Sequence, residues 1–175
     1  MISLSSLMWA TAIFFAFMGV LRGWNRELIG TAGIVLGVFA IFQFDSILRG
    51  TIYLLMSPDQ IFGVQMTIFI GLVIVAYRSQ GVVDSVRGRG RIQSGILGGI
   101  VGFGNGYFVA GSIWYFLDIN LYPFPQFVTA PAPASVSYQA ANMIPVVLLG
   151  GGLTGNGDLL AVAVIVLLFF VLLIV

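Results

Sequence analysis

Residues 4–45, LSSLMWATAIFFAFMGVLRGWNRELIGTAGIVLGVFAIFQFD, contain two long apolar runs separated by a short basic segment. The first run extends from Leu4 to Leu21 and the second from Leu28 to Phe44. Each is close to the roughly 20 apolar residues that a helix needs to cross the hydrocarbon core of a bilayer. This stretch therefore predicts two membrane-spanning helices joined by a tight, charged connection. The charged residues of that connection are Arg22, Arg26 and Glu27.

The composition of the whole chain agrees with a membrane protein. Of the 175 residues, 59% are hydrophobic and only 7% are charged, whereas a soluble domain carries about 25% charged residues. Cysteine and histidine are both absent, which excludes disulfides, thiolate metal sites and haem held by histidine. We therefore expect no cofactor, no metal and no catalytic residue, since histidine is the usual general base near neutral pH. The net charge of +1 argues against a nucleic-acid partner.

Three further apolar runs, residues 60–77, 92–117 and 159–175, bring the number of predicted spans to five, in one transmembrane domain covering residues 1–175. The chain has seven basic residues, all arginines, and six of them fall after the first and third spans. Because arginine-rich loops stay in the cytoplasm, we expect the N-terminus outside and the C-terminus inside. The predicted fold class is an all-α, polytopic integral membrane protein.

The predicted outer surface has two informative connections. Residues 119–157 form a long loop rich in proline and glycine, and the four prolines within residues 119–142 favour an extended chain there. Residues 45–57 place apolar side chains at helical spacing, which predicts a short helix lying at the outer membrane interface. Asp158 follows a glycine-rich break and is a candidate N-cap for the last span.

Glycines four residues apart recur in the second and fourth spans, a spacing that lets two membrane helices approach closely. One interpretation is that these two spans pack against each other inside one bundle. The other is that the glycines form a docking face for another subunit or for a second copy of the chain. The candidate packing residues are Gly33, Gly37, Gly95, Gly98, Gly99, Gly102 and Gly106.

The arginines of the two predicted cytoplasmic loops are candidate binding residues. We interpret them as anchors that contact anionic lipid headgroups and set the topology. The sharper alternative is a recognition site for an anionic partner, because guanidinium groups form forked contacts with phosphate. The candidate residues are Arg22, Arg26 and Glu27 after the first span and Arg87, Arg89 and Arg91 before the fourth.

A few polar side chains lie within the predicted spans, namely Gln65, Thr67 and Asn105. An intramembrane amide needs a partner, so we expect hydrogen bonds between helices. No acidic or basic residue lies at the centre of a predicted span. This pattern argues against a proton pump or a coupled transporter, which usually carry such a group.

Two segments also carry a family resemblance: GVLRGWNREL at residues 19–28, and RIQSGILGGIVG at residues 91–102 followed by WYFLD at 114–118. Their order resembles the colicin V production protein family over roughly residues 1–118. Two features depart from that pattern, since Asn105 stands where the family often has arginine and the fifth span is additional. The resemblance implies an inner-membrane protein linked to toxin production and envelope homeostasis, with no known catalytic residue.

Two functions are compatible with these features. The first is a non-catalytic scaffold or accessory subunit of a larger membrane complex, such as a respiratory or photosynthetic electron-transfer assembly, without redox cofactors of its own. The second is an export or permeation component, which the family's association with toxin production suggests and which requires a water-filled path. The expected partners are the lipid bilayer and other membrane subunits or further copies of the chain. The expected location is the bacterial inner membrane.

Overall fold

The computed structural model describes residues 3–78, 90–151 and 155–174, and in these ranges every regular element is a helix. A 3₁₀ helix, Ile52–Leu55, connects the second α-helix to the third. The α-helices of the described ranges are α1 (Leu4–Arg22), α2 (Trp24–Gly50), α3 (Pro58–Arg78), α4 (Gly90–Ile119), α5 (Val136–Ala141), α6 (Pro145–Gly150) and α7 (Asp158–Ile174).

Four of these helices, α1 to α4, contain apolar stretches of 19 to 28 residues that are long enough to cross a membrane. Large apolar side chains cover their outer faces, for example Phe14 and Phe17 on α1 and Val75 on α3. Exposed hydrophobic surface of this extent suits a protein surrounded by lipid. The expected all-α class is therefore confirmed for the described ranges, and these four helices are consistent with a membrane protein. The last helix, α7, has 17 residues, and its length of about 26 Å is slightly less than the thickness of the hydrocarbon core.

The second helix is longer than the predicted span. Residues 45–50 continue α2, and the separate interfacial helix predicted for residues 45–57 is reduced to the short 3₁₀ helix. The reason is that Asp45 has partners within the bundle. Arg49 Nε donates to Asp45 Oδ2 at 2.8 Å, and Gln65 Nε2 donates to Asp45 Oδ1 at 2.9 Å. The helix therefore continues through the charged residue that was expected to end it.

The bundle is organised around α2 and α4. Helix α1 lies along α4, α2 packs against both α3 and α4, and α7 covers α2 next to α6. Between these helices lies a dense apolar core. Phe69 of α3 and Phe116 of α4 meet edge to face with ring centroids 5.5 Å apart, and both are fully buried. The core thus contains buried side chains from all four long helices, including Met8 of α1 and Ile34 of α2.

The glycines of α4 make the contact with α1. Gly98 faces Gly19, Gly102 faces the backbone of Phe15, and Gly106 lies against Thr11 and Ala12. A Cβ atom at position 106 would lie only 2.7 Å from the Thr11 carbonyl oxygen. Helix α1 can therefore approach so closely because these α4 positions have no side chain. The other two predicted packing residues of this span, Gly95 and Gly99, lie against Val20.

The glycines of α2 have a different neighbour. Gly33 lies against Ala76, and Gly37 lies against Leu72 and Phe69, all on α3. Helices α2 and α4 do pack against each other, but the glycines that suggested this pairing face other helices. Both sets of glycines are used within the described bundle, at two separate helix contacts.

The predicted long outer loop contains short helices. Ser135 caps α5, its side chain accepting a hydrogen bond from the backbone N–H of Tyr138, and α6 begins with Pro145. The Ser137 hydroxyl lies 3.1 Å from that of Ser5, which joins α5 to α1. The extended chain that was expected from the prolines therefore covers only part of residues 119–142.

Candidate functional site

Four helix ends meet at one end of the bundle, which we call the arginine end: the C-termini of α1 and α3 and the N-termini of α2 and α4. Gly23 alone separates α1 from α2, with φ of 85°, a conformation that favours glycine. A Cβ at this position would also lie 2.7 Å from Ser94 Oγ of α4. This one-residue connection brings Arg22 and Glu27 close together although they belong to different helices.

Glu27 is the centre of the site. Its side chain is fully buried, although the residue lies in the first turn of α2. Asn105 Nδ2 donates to Glu27 Oε2 at 2.9 Å, and the Tyr77 hydroxyl donates to the same oxygen, also at 2.9 Å. Arg22 Nη1 lies 3.6 Å from Glu27 Oε1. The carboxylate thus joins α1, α2, α3 and α4.

Asn105 completes this polar cluster. It lies halfway along α4 and is fully buried. Its Nδ2 has three acceptors within 3.0 Å, which are the Glu27 carboxylate, the Glu27 backbone carbonyl and the Tyr77 hydroxyl oxygen. The Thr31 hydroxyl lies 2.6 Å from Asn105 Oδ1. The expected hydrogen bonds between helices are therefore present at this amide.

The burial of Glu27 corrects one expectation. Glu27 was expected to lie at a membrane boundary as part of a charged loop, with no ionisable group deep within a span. The structure instead bonds its carboxylate to the residue at the middle of α4. An ionisable group inside a membrane protein is costly and usually has a specific partner. The physical reason is the tight turn at Gly23, which lets α2 begin inside the bundle.

A cleft between α1 and α3 opens above this cluster, with a volume of about 570 Å³. We call it the arginine cleft, and its polar lining consists of Arg22, Arg26, Arg78 and Tyr77. The Arg22 guanidinium lies over the Tyr77 ring, 4.9 Å from its centroid. Its apolar lining consists of Phe15, Val73 and Ile74.

The structure brings only part of the predicted binding set together. Arg22, Arg26 and Glu27 lie at the arginine cleft or directly beneath it. Arg87 and Arg89 lie outside the described residues, as does the side chain of Arg91, whose backbone lies in the first turn of α4. Sequence reasoning missed two members of the cleft, Tyr77 and Arg78. The signal for Arg78 is its place among the arginines that follow the third span, whereas Tyr77 carries no signal beyond its place at the end of that span.

A second polar cluster lies at the opposite end of the bundle. Arg49 joins Asp45 to Asn120, donating from Nη2 to Asn120 Oδ1 at 3.0 Å. Asn120 Nδ2 donates to Gln65 Oε1 at 2.6 Å, and Gln65 donates to Asp45. The four side chains form a closed ring of bonds between α2, α3 and the end of α4. This ring satisfies its own members and functions as a structural clamp.

The opposite end also contains an apolar cavity of about 370 Å³ between α1, α4 and the loop that follows α4. Met8, Phe62, Trp114 and Phe124 contribute to its walls. Thr11 is the polar residue of the lining, and its hydroxyl donates to the Leu7 carbonyl of its own helix. A cavity with this lining accommodates hydrocarbon and offers no anchoring group for a polar ligand.

The groups at the arginine cleft are suited to binding an anion. Within the described ranges, no cluster of three or more acidic, histidine or cysteine side chains could hold a metal ion. The arginine cleft combines guanidinium groups, a phenol and an apolar wall, which suits an anion with an apolar part. No protein-family model, curated protein or solved structure matches this chain.

Proposed function

We propose that this chain is a non-catalytic integral membrane protein that serves as a scaffold or accessory subunit of a larger membrane assembly. The family resemblance to colicin V production proteins is part of the proposal. The observation that carries it is an unfilled strip of small residues on α3, formed by Gly63, Thr67 and Gly71.

This α3 strip has the geometry of a helix contact that lacks its second helix. Its members are four residues apart, and all three are exposed. A Cβ added at Gly63 or Gly71 would meet no atom of the described residues within 4 Å. The Thr67 hydroxyl donates to the Gly63 carbonyl at 2.8 Å, so the strip presents no unsatisfied donor to lipid. A transmembrane helix of another chain can approach such a surface closely.

Site-specific crosslinking tests the scaffold role in intact cells. We expect Thr67→p-benzoylphenylalanine to give a protein adduct of defined mass after irradiation, because a neighbouring helix would lie against the probe. The matched control is the same probe at Phe17, an exposed position on α1, which should react mainly with lipid. If neither position gives a protein adduct, the scaffold role is refuted.

We further propose that the protein lies in a bacterial inner membrane with its N-terminus outside, and that α7 is the fifth crossing. Support comes from the shared end of the α1 and α3 C-termini, where Arg22 and Arg78 lie. Because the chain has no cysteine, single cysteines can be labelled cleanly. Ser57→Cys should react with an impermeant maleimide in whole cells, and Gln80→Cys only after lysis. The reverse pattern would refute this orientation.

The permeation alternative is less well supported by the packing. The two polar clusters of the bundle are separated by a layer of fully buried apolar side chains within the described ranges. These side chains include Ile34, Val38, Phe69 and Phe116. A continuous water-filled path requires polar or open lining along its length. Measurement of ion or solute flux in liposomes tests this alternative, and flux above that of empty liposomes would favour it over the scaffold.

A further inference from the structure

The charges at the arginine cleft are unbalanced. Three guanidinium groups from three helices line it, and the carboxylate beneath it, Glu27, pairs with Arg22. Among the described residues, no carboxylate lies within ion-pair distance of Arg26 or Arg78. Among the described residues, three positive charges against one negative charge leave an excess of two. Such an excess inside a cleft attracts an anion more strongly than scattered surface charges do.

Glu27 and Tyr77 also organise the arginines. The Glu27 carboxylate and the Tyr77 ring hold the guanidinium of Arg22 against one side of the cleft. Arg26 belongs to the first turn of α2 and Arg78 is the last residue of α3. These two arginines therefore approach the opening from different helices, an arrangement that can surround a phosphate group with forked contacts.

The inner wall of the cleft is apolar. Phe15 precedes Arg22 by seven residues on α1, which corresponds to about 10 Å along the helix. Val73 and Ile74 line the α3 side, and Ile74 is 53% exposed, so the cleft opens sideways towards lipid. Its volume of about 570 Å³ lies within the range of about 300 to 1,000 Å³ that is typical of small-molecule sites.

From this combination we infer that the arginine cleft is a specific binding site for one phospholipid with an anionic headgroup. The phosphate lies between Arg26 and Arg78, and an acyl chain lies against Phe15 and Ile74. Basic pockets between transmembrane helices bind anionic headgroups in this way. The inference goes beyond the general contacts between arginines and lipid headgroups that the sequence suggests, because it assigns a single bound lipid to a defined cleft. It depends neither on the scaffold role nor on the orientation of the chain.

Native mass spectrometry of the full chain in an uncharged detergent tests this inference. Titration with phosphatidylglycerol should show one tightly bound lipid per chain, with an affinity about tenfold or more above that for phosphatidylcholine. The double variant Arg26→Gln/Arg78→Gln should lose most of this preference. Both side chains lie at helix ends and lack a carboxylate partner in the described ranges, so we expect the variant to fold.

A matched control removes the same charge elsewhere. Arg87→Gln/Arg89→Gln takes two arginines from the stretch between α3 and α4 and should retain the preference for phosphatidylglycerol. A third variant, Ile74→Trp, leaves every charge in place but fills the apolar wall, and it should weaken lipid binding about as strongly. Its thermal unfolding, compared with that of the wild type, shows that the loss is not caused by misfolding.

Several outcomes would overturn the inference. Equal losses in the two arginine double variants would show a diffuse electrostatic attraction instead of a site. Binding of several phosphatidylglycerol molecules without saturation would also show diffuse attraction instead of a single site. Displacement of the lipid by millimolar inorganic phosphate, together with unchanged binding in Ile74→Trp, would identify a phosphate site with no role for the acyl chain.

Discussion

The side-chain amide of Asn105, halfway along α4, donates hydrogen bonds to both the carboxylate and the backbone carbonyl of Glu27 at the start of α2. The Asn105 amide thereby contacts both the buried carboxylate and the backbone of the same residue, and its nitrogen also lies 3.0 Å from the Tyr77 hydroxyl. Together with the bond from the Tyr77 hydroxyl and the ion pair with Arg22, these bonds explain how the Glu27 carboxylate is accommodated in the interior of the bundle.

Removal of this amide should destabilise the bundle. We expect Asn105→Ala to lower the free energy of unfolding by about 2 kcal/mol, because the buried carboxylate loses a donor that water cannot replace. The loss should be smaller in a Glu27→Gln background, with a coupling energy of about 1 kcal/mol. Thermal or denaturant unfolding in detergent measures all four proteins. Identical losses in the two backgrounds would contradict the proposed pairing.

Contact between α1 and α4 should depend on glycine at particular positions. A Cβ at Gly102 would lie 2.5 Å from the Phe15 carbonyl oxygen and 3.1 Å from Gly19 Cα. Gly102→Ala should therefore cost about 1 to 3 kcal/mol, since backbone atoms cannot move aside. Gly104→Ala is the control, because a Cβ there meets no atom within 4 Å in the part of the chain that the structure describes, and alanine favours the helix.

Tryptophan fluorescence provides the readout for these two variants. Trp9 of α1 stacks on Tyr107 of α4 with ring centroids 5.5 Å apart, so separation of the two helices changes its surroundings. We expect a lower midpoint for Gly102→Ala and an equal or higher midpoint for Gly104→Ala. If both variants shift in the same direction, the close α1–α4 contact is not what limits stability.

The polar ring at the opposite end should be a larger source of stability than nearby exposed polar groups. Gln65→Ala removes one bond to Asp45 and one from Asn120, and we expect a loss of about 2 kcal/mol. Thr67→Ala on the same helix removes only a bond to its own backbone and should change stability by less than about 0.5 kcal/mol. Comparable effects would show that the ring contributes little.

A pH dependence is expected from Tyr122, which follows α4 and accepts a hydrogen bond from Trp114 Nε1 at 3.1 Å. Burial raises the pKa of Tyr122 to about 12, although the Trp114 bond acts in the opposite direction. Its pKa in the unfolded chain is about 10. The folded state therefore keeps the phenol protonated over a range in which the unfolded chain ionises. This contribution to stability is complete below pH 10 or so and is lost as the pH rises to about 12.

The variant Tyr122→Phe isolates this effect. At neutral pH it should be less stable than the wild type by about 1 kcal/mol, because Trp114 loses its acceptor. That difference should become smaller between pH values of about 10 and 12, where only the wild type has the phenol to ionise. The test is to measure the free energy of unfolding of both proteins across this pH range. A constant difference in stability between them would rule out a raised pKa of Tyr122.

Much of the fold was predictable because membrane-spanning helices can be recognised by the length and apolar composition of their sequence segments. The apolar runs bounded by Arg22 and Arg78 gave the ends of α1 and α3, since a bilayer requires about 20 apolar residues per crossing. The α2 helix continues past Asp45, which bounds the predicted second span, for a physical reason. Both Arg49 and Gln65 donate hydrogen bonds to the Asp45 carboxylate, so the helix can continue through this charged residue.

The candidate site was less predictable. Arg22, Arg26 and Glu27 were recognised because they cluster in the sequence. Tyr77 and Arg78 line the same cleft from α3, and Tyr77 is 50 residues away from its hydrogen-bond partner Glu27. The spacing of the glycines likewise indicated close helix packing, but it did not identify which helix packs against them. Any small-residue strip fits any other in principle, so sequence spacing could not distinguish α1 from α2 as the neighbour of α4.

The sequence by itself determined that this chain is a set of apolar helices with six of its seven arginines clustered in two short stretches, because a helix that crosses hydrocarbon must be long and apolar and the burial of a charge is costly. Only the tertiary structure decided that Glu27 lies inside the bundle on Asn105 and that the arginines of three helices share one cleft. Those relationships depend on which helix faces meet, and that is settled by side-chain packing between segments distant in the chain.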